Sequence, residues 1–319
     1  MITYKKHKMQ FVKPAKTSKI DYLEKEIIVL QDTETKIFGE CAPLPHLSKE
    51  SIDDCWSFLE ENQREIQNLP VSNELLDNIP SALKMAFEGM GIERKCAQFK
   101  SNFPIKINGL VWMNGFDAME EELHQKVIQG FDVIKVKIGQ HDFDAECRFL
   151  EKVRQKYADK IELRLDANGA FTVDDALIKI KDLSRFNIHS LEQPIAVNQW
   201  EAMEMICMES PIDIALDEEL IGVEATETLF KNIKPHYLIL KPTLHGGFSN
   251  CDRWIELCNK YDTPWWATSA LESNIGLYQI ALWVNQYEPK LPQGLGTGSL
   301  FKENFERPMQ RTGQMLNLI

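Results

Sequence analysis

No stretch of this sequence approaches the roughly 18 uninterrupted apolar residues that a membrane-spanning helix requires. Its first residues, MITYKKHKMQFVKP, carry positive charge but lack the apolar core of a secretory signal. These two absences make a cytoplasmic location the expectation. Cysteine is sparse as well: seven residues (Cys41, Cys55, Cys96, Cys147, Cys207, Cys251 and Cys258), odd in number and scattered, without the close pairs that zinc sites use. They read as reduced, half-buried thiols. Basic residues are in deficit, 36 Lys and Arg against 48 Asp and Glu, which leaves a formal net charge of −12. Such a field repels nucleic acid and anionic membranes, so an anionic small-molecule substrate would need a locally positive site. Nothing in the composition fixes an oligomeric state.

What is present is a chain of 319 residues, 44% hydrophobic, long enough for one large domain and a smaller one. Short β-rich runs recur at barrel spacing: PIKINGLVW (104–112), VIKVKIG (133–139), ELRLDANG (162–169) and IHSLEQP (188–194). Four more follow at DIALDEE (213–219), YLILKPT (237–243), PWWATSA (264–270) and LPQGLGT (291–297). Between them lie helical patterns such as FDAECRFLEKVRQKYADK, in which Phe143, Cys147, Leu150 and Val153 share one face. Strands alternating with helices imply parallel pairing, and the expected fold is α/β, a TIM-like barrel. The first hundred residues read differently, as a separate α+β element with a hairpin around EKEIIVLQD and KIFGECAPLP. Helices are expected at DDCWSFLEENQREIQ and PSALKMAFEGMGIERK. The tail 301–319 is too poor in apolar surface to fold alone and is expected to pack back on that N-terminal part.

In such barrels the active site gathers at the C-terminal ends of the strands. Lys135 and Lys137 end the second expected strand, Asp166 the third, Glu192 the fourth, Asp217 the fifth and Lys241 the sixth. From Asp166 to Lys241 each follows the last by 24 to 26 residues, one strand–helix unit. Three carboxylates converging at a barrel mouth raise one another's pKa values unless a cation sits among them. An all-oxygen ligand set with no His or Cys favours Mg²⁺, leaves Mn²⁺ as the alternative, and disfavours zinc. A lysine acting as a base needs a lowered pKa, which a second ammonium and a divalent ion both promote. The Lys-x-Lys spacing places Lys135 and Lys137 on one strand face, and Lys137, nearer the strand end, is the candidate for proton transfer. The arrangement suits removal of a proton from the carbon next to a carboxylate, because the resulting charge falls on oxygens the cation holds.

The ordered set KVKIG, LDANG, LEQP, LDEE and LKP resembles the muconate cycloisomerase subgroup of the enolase superfamily over about residues 104–300. GECAPLP (39–45) and PSALKMAFEGM (80–90) resemble the capping domain of that subgroup. The resemblance implies a (β/α)7β barrel catalytic domain over 101–300 with an α+β capping domain over 1–100. Within the subgroup, QGLGTGSLF and TSALESNIG (268–276) resemble the o-succinylbenzoate synthase family. Dipeptide epimerases usually carry an Asp-x-Asp pair at the eighth strand, where this chain reads GLGTG (294–298) with no acid. N-succinylamino acid racemases are a further alternative. The chemistry implied is a syn dehydration driven by aromatisation, a lyase reaction of menaquinone biosynthesis. In it Lys137 removes the proton and then protonates the departing hydroxyl, while Lys241 lies over the opposite ring face. Asp166, Glu192 and Asp217 are the implied Mg²⁺ ligands, Lys135 a tuning and carboxylate-binding residue, and Asn168, Ser269 and Ser273 the implied substrate contacts.

Each residue also has a plainer reading. A single charged side chain at a strand end is most often just solvated, yet six at regular spacing are not explained that way. A non-catalytic barrel serving as a scaffold would be expected to lack one of the lysines or acids, and none is missing. Glu218, beside Asp217, is expected to partner a lysine. His236 and His245 are left out as loop histidines, and Gly246-Gly247 is read as a tight turn into a helix. Trp265 and Trp266 are expected to point opposite ways. The segment 12–19 reads either as a loop closing over the substrate or as a surface turn.

Overall fold

A computed structural model describes residues 1–16, 20–67, 71–96 and 104–319. The chain opens with β1 (Ile2–Lys16), paired antiparallel to β2 (Asp21–Asp32), which in turn pairs with β3 (Phe38–Cys41). The expected hairpin is therefore the β2–β3 pair. β1 went unread in the sequence because lysines interrupt its alternation; as the sheet's edge strand it exposes Lys5 and Lys8 and buries Met9 and Phe11. Charge on an edge strand discourages pairing with other chains. Three helices, α1 (Ile52–Glu61), α2 (Asn73–Asp77) and α3 (Ser81–Cys96), follow. Ile28, Leu30 and Cys41 of the sheet share a buried core with Cys55 and Leu59 of α1 and with Leu83, Phe87 and Met90 of α3. A capping box starts α1: the Asp54 amide donates to Ser51 Oγ at 3.1 Å, and the Ser51 amide to Asp54 Oδ2 at 2.8 Å.

After β4 (Ile105–Lys106) the chain enters the barrel. Its strands and helices alternate as β5 (Gly109–Val111), α4 (Phe116–Ile128), β6 (Val133–Lys137), α5 (Phe143–Tyr157), β7 (Glu162–Asp166), α6 (Val173–Ser184), β8 (Ile188–Glu192) and α7 (Trp200–Glu209). They continue as β9 (Asp213–Leu216), α8 (Glu227–Asn232), β10 (Tyr237–Leu240), α9 (Gly247–Lys260), β11 (Trp265–Ala267) and α10 (Asn274–Asn285). β5 to β11 are parallel neighbours in chain order. The eighth stave, expected over 291–297, is only a pair of parallel bridges, Gln293 to Ile107 and Gly294 to Thr268. A glycine-rich run offers few side chains to pack, and a Cβ at Gly294 would stand 3.0 Å from that of Thr268. Two residues nonetheless close the ring.

The first expected strand also divides. Ile105 and Lys106 leave the barrel to pair with β13 (Met315–Leu318), itself in a hairpin with β12 (Met309–Thr312). The tail accordingly splits between two places. Phe301 bridges Phe11 of β1, as the expected return to the N-terminal part would have it, whereas residues 309–318 attach to the barrel entrance instead. Periodicity in the helices is otherwise reproduced, with Cys147, Leu150 and Val153 of α5 buried against the sheet. Trp266 fills the barrel interior with Ala215 and Ile239, while Trp265 packs outward against Trp283 and Tyr287. Gly246, at φ 81°, caps α9 as the turn that was expected.

Candidate active site

The barrel ladder sets the heights of the chemical groups. Lys137 pairs across the sheet with Asp166, and Asp166 with Glu192, so the three lie level at the strand ends. One pleat lower, Lys135 pairs with Arg164 and Arg164 with Ser190. Asp217 follows β9 directly and Lys241 follows β10. In a ring of eight staves β6 and β10 stand four apart, which places the two lysine-bearing strands on opposite walls.

The side chains meet as that placement requires. Lys135 Nζ donates to Asp166 Oδ2 at 3.1 Å and to Glu192 Oε2 at 2.9 Å. Lys137 Nζ donates to Asp166 Oδ2 at 3.1 Å and to Asn168 Oδ1 at 2.6 Å, and Lys241 Nζ is paired with Asp217. All six predicted lysine and carboxylate positions are thus brought together in one network. Asn168 joins it: held at φ 45°, it donates through Nδ2 to Glu218 Oε1 at 2.8 Å. A cavity of about 330 Å³ opens above, lined by Lys135, Lys137, Asp166, Asn168, Glu218 and Lys241. That volume suits a small organic molecule.

Four carboxyl groups (Asp166, Glu192, Asp217 and Glu218) face three lysines here, so acids outnumber bases. Burial and the neighbouring Asp166 push Glu192 up to about 8. Burial also raises Asp217 and Glu218, against the pull of Lys241. For Asp166 burial acts upward too, but Lys135, Lys137 and Lys241 outweigh it and hold the carboxyl below its usual range. Burial would depress Lys135 and Lys241; their carboxylate neighbours prevail and keep both ammonium groups above the ordinary lysine value. A site so arranged has acids that gain by meeting further positive charge.

The donor types suit a hard cation. The ligand candidates are all carboxylate oxygens, and Asp217 Oδ1 is buried without a hydrogen-bond partner, as is Glu218 Oε2. Among the described residues no three His, Cys, Asp or Glu side chains stand in coordinating geometry, and the Lys135 ammonium bonds both Asp166 and Glu192.

The three expected substrate contacts part company. Asn168 and Ser269 line the cavity, although Ser269 Oγ already donates to Glu272 Oε2 at 2.6 Å. Ser273 does not line it: fully buried, it caps α10 and donates through Oγ to Glu40 Oε2 at 2.6 Å. The small hydroxyl in TSALESNIG is therefore a helix cap rather than a surface offered to substrate. Of the segment 12–19, Val12, Lys13, Pro14 and Ala15 line the cavity, and residues 17–19 lie outside the described residues. His245 is buried, its Nδ1 accepting from the Lys241 amide at 3.1 Å.

Two buried polar residues that support the site from the barrel interior were not singled out from the sequence. Arg164 is 1% exposed inside the barrel, stacked 4.3 Å over Trp266 and donating to the Pro292 carbonyl at 2.9 Å. Its position two before Asp166 in ELRLD marks it as inward-facing, a signal the pattern contained. Gln193 Oε1 accepts from the amides of Asp217 and Glu219, each at 3.3 Å, and so fixes the turn that presents Asp217.

Comparison with known proteins agrees with this geometry. Residues 118–288 match the family model "Enolase C-terminal domain-like". An o-succinylbenzoate synthase of Desulfotalea psychrophila is 42% identical over 245 residues, spanning 74% of this chain and 67% of that protein. The crystal structure of MenC from the same organism superposes with a TM-score of 0.79 at 32% identity, covering 99% of both chains. In fold alone, the dipeptide epimerase of Cytophaga hutchinsonii, complexed with Mg and D-Ala-L-Val, matches with a TM-score of 0.85 at 21% identity over 99% of this chain and 92% of that one. The barrel, the ordered strand-end residues and these relatives together show that the chain belongs to the enolase superfamily and, within it, to the o-succinylbenzoate synthase family.

Proposed function

We propose that the protein catalyses the Mg²⁺-dependent syn dehydration of 2-succinyl-6-hydroxy-2,4-cyclohexadiene-1-carboxylate to 2-succinylbenzoate, in the cytoplasm, as a step of menaquinone biosynthesis. The observation that carries this reading is that Lys137 and Lys241 line one cavity from opposite walls, with Asp166, Glu192 and Asp217 at the ends of the intervening strands β7, β8 and β9. Asp166, Glu192 and Asp217 would hold the Mg²⁺, which supplies positive charge to the substrate's ring carboxylate as its oxygens become more negative.

Lys137, as the free amine, takes the proton from the ring carbon bearing the carboxylate. The same nitrogen, now an ammonium, returns a proton to the hydroxyl leaving from the same face. One C–H and one C–O bond break, water departs and the ring becomes aromatic. Asn168 Oδ1, 2.6 Å from Lys137 Nζ, orients the amine toward that face. Lys241 stays an ammonium and lies over the other face of the ring, where its charge favours the electron-rich form. Lys135 neutralises part of the acid cluster and offers a donor to a carboxylate oxygen.

The same two opposed lysines would also suit racemisation of N-succinylamino acids, with one proton leaving to each face. Epimerisation of dipeptides is less well served, because Gly294 and Thr297 line the cavity in the stretch where an acid would meet the substrate ammonium. Purified protein with Mg²⁺ should consume the diene, read as loss of its absorbance, and stop on addition of a chelator. No turnover would defeat the proposal. Solvent deuterium entering N-succinylamino acids, dependent on both lysines, would establish the second activity instead.

A further inference from the structure

Beyond the barrel mouth, the most charged buried cluster lies where the capping sheet meets the loop between β11 and α10. Lys25 on β2, Glu40 on β3 and Glu272 in the loop are 3%, 0% and 1% exposed. Lys25 Nζ donates to the carbonyls of Ala270 at 3.1 Å and Leu271 at 3.2 Å. Glu40 Oε1 accepts from the Ser273 amide at 2.8 Å, and its Oε2 from Ser273 Oγ at 2.6 Å and the Gly276 amide at 2.7 Å. Glu272 accepts from Ser269 Oγ at 2.6 Å and from Thr243, two residues beyond Lys241. The carboxylate of Glu40 thus sits at the N-terminus of α10, where helix dipole and free amides favour an anion.

The loop held in this way is under constraint. Leu271 adopts φ 63°, a left-handed conformation uncommon for a branched residue, and its amide donates to Ser269 Oγ at 3.1 Å. At Gly276 a Cβ would stand 2.9 Å from that of Glu272 and 3.0 Å from Glu40 Oε2, so the carboxylates and the helix start are in close contact. Ser269, Ala270 and Leu271 form part of the cavity wall, whereas neither Lys25 nor Glu40 lines it. Burying Lys25 costs desolvation, which its two carbonyl partners and the nearby charges of Glu272 and Glu40 partly offset. Here its geometric effect is to fix the backbone of a strained cavity wall from the other domain.

We infer that Lys25 and Glu40 are positioning residues: from the capping sheet they clamp residues 269–273 into the shape that accepts the substrate. The inference rests on reading this cavity as the active site. Residues 269–271 stand apart from the proton-transferring lysines, so loosening them weakens binding of ground state and transition state alike, which appears in KM.

Steady-state dehydration kinetics of Glu40→Ala, Glu40→Gln, Ser273→Ala and Lys25→Met test it, each at a temperature where circular dichroism shows the variant folded. The expected result is a KM raised about tenfold in Glu40→Ala and Lys25→Met, with kcat within about threefold of the parent enzyme. Glu40→Gln, which keeps an acceptor oxygen, and Ser273→Ala, which loses one bond of three, should fall between. If Glu40→Ala and Lys25→Met do not fold, the two milder variants decide. A KM within twofold of the parent in every folded variant, whatever the fall in melting temperature, would overturn the inference and leave the cluster a structural joint. An inactive parent enzyme would refute the assigned reaction instead, so the two failures are distinguishable.

Discussion

Lys135 bridges two acids of the cluster, its Nζ donating to Asp166 Oδ2 and to Glu192 Oε2. Asp166 touches both lysines of β6. Asp166→Ala should weaken Mg²⁺ binding at least tenfold, about 1.4 kcal/mol or more, as measured by calorimetry. Unchanged affinity would remove Asp166 from the ligand set. The level placement of Lys137, Asp166 and Glu192 was legible in the sequence because a barrel brings successive strand ends to a common height, with Lys135 one pleat lower on the same strand face. Ser273 was misread for a related reason: a hydroxyl near a strand end resembles a substrate contact, and only the three-dimensional approach of Glu40 shows it to be a helix cap. Arg164 escaped notice because a buried arginine lies outside the strand-end rule, although its inward register was there to read.

Among the elements, the turn after β7 has a demanding backbone. Gly169 closes LDANG at φ 74°, and a Cβ there would meet the backbone of Ala196 at 3.1 Å and the Ile195 carbonyl at 3.2 Å. Gly169→Ala should therefore destabilise the protein by about 1–3 kcal/mol, from positive φ and crowding together. A shift of the denaturant midpoint measures it, and an unchanged midpoint would show that the turn relaxes freely. Elements with strong local patterns, such as α5 and the β2–β3 hairpin, were legible. β1 was not, because its lysines hide the alternation of an edge strand. The last stave was overextended, since two bridging residues suffice once seven strands have set the ring's curvature.

For the molecule as a whole, pH acts through groups that stay buried and neutral. Burial, reinforced by the Lys241 ammonium, pushes His245 down to about 3. An unfolded histidine protonates near 6.5, so below that pH the unfolded chain binds a proton that the folded one refuses. The associated stability is fully present above 6.5 and is lost as pH falls toward 3. His245→Asn, whose side-chain oxygen can still accept from the Lys241 amide, should flatten the stability profile between pH 6 and 4 by at most about 1.4 kcal/mol per pH unit. An identical slope in both proteins would show that other groups govern acid unfolding. The N-terminal sheet meets the loop between β11 and α10 through the Lys25, Glu40 and Glu272 cluster, the contact inferred above to shape the cavity. Turnover of the cyclohexadiene substrate by Lys137→Ala, with Mg²⁺ affinity measured on the same preparation, tests most directly whether Lys137 is the proton-transferring group of this site. The prediction is a rate at least about 10³-fold below that of the parent enzyme, with Mg²⁺ affinity changed by less than about threefold. A variant that keeps a tenth or more of the parent rate would contradict it.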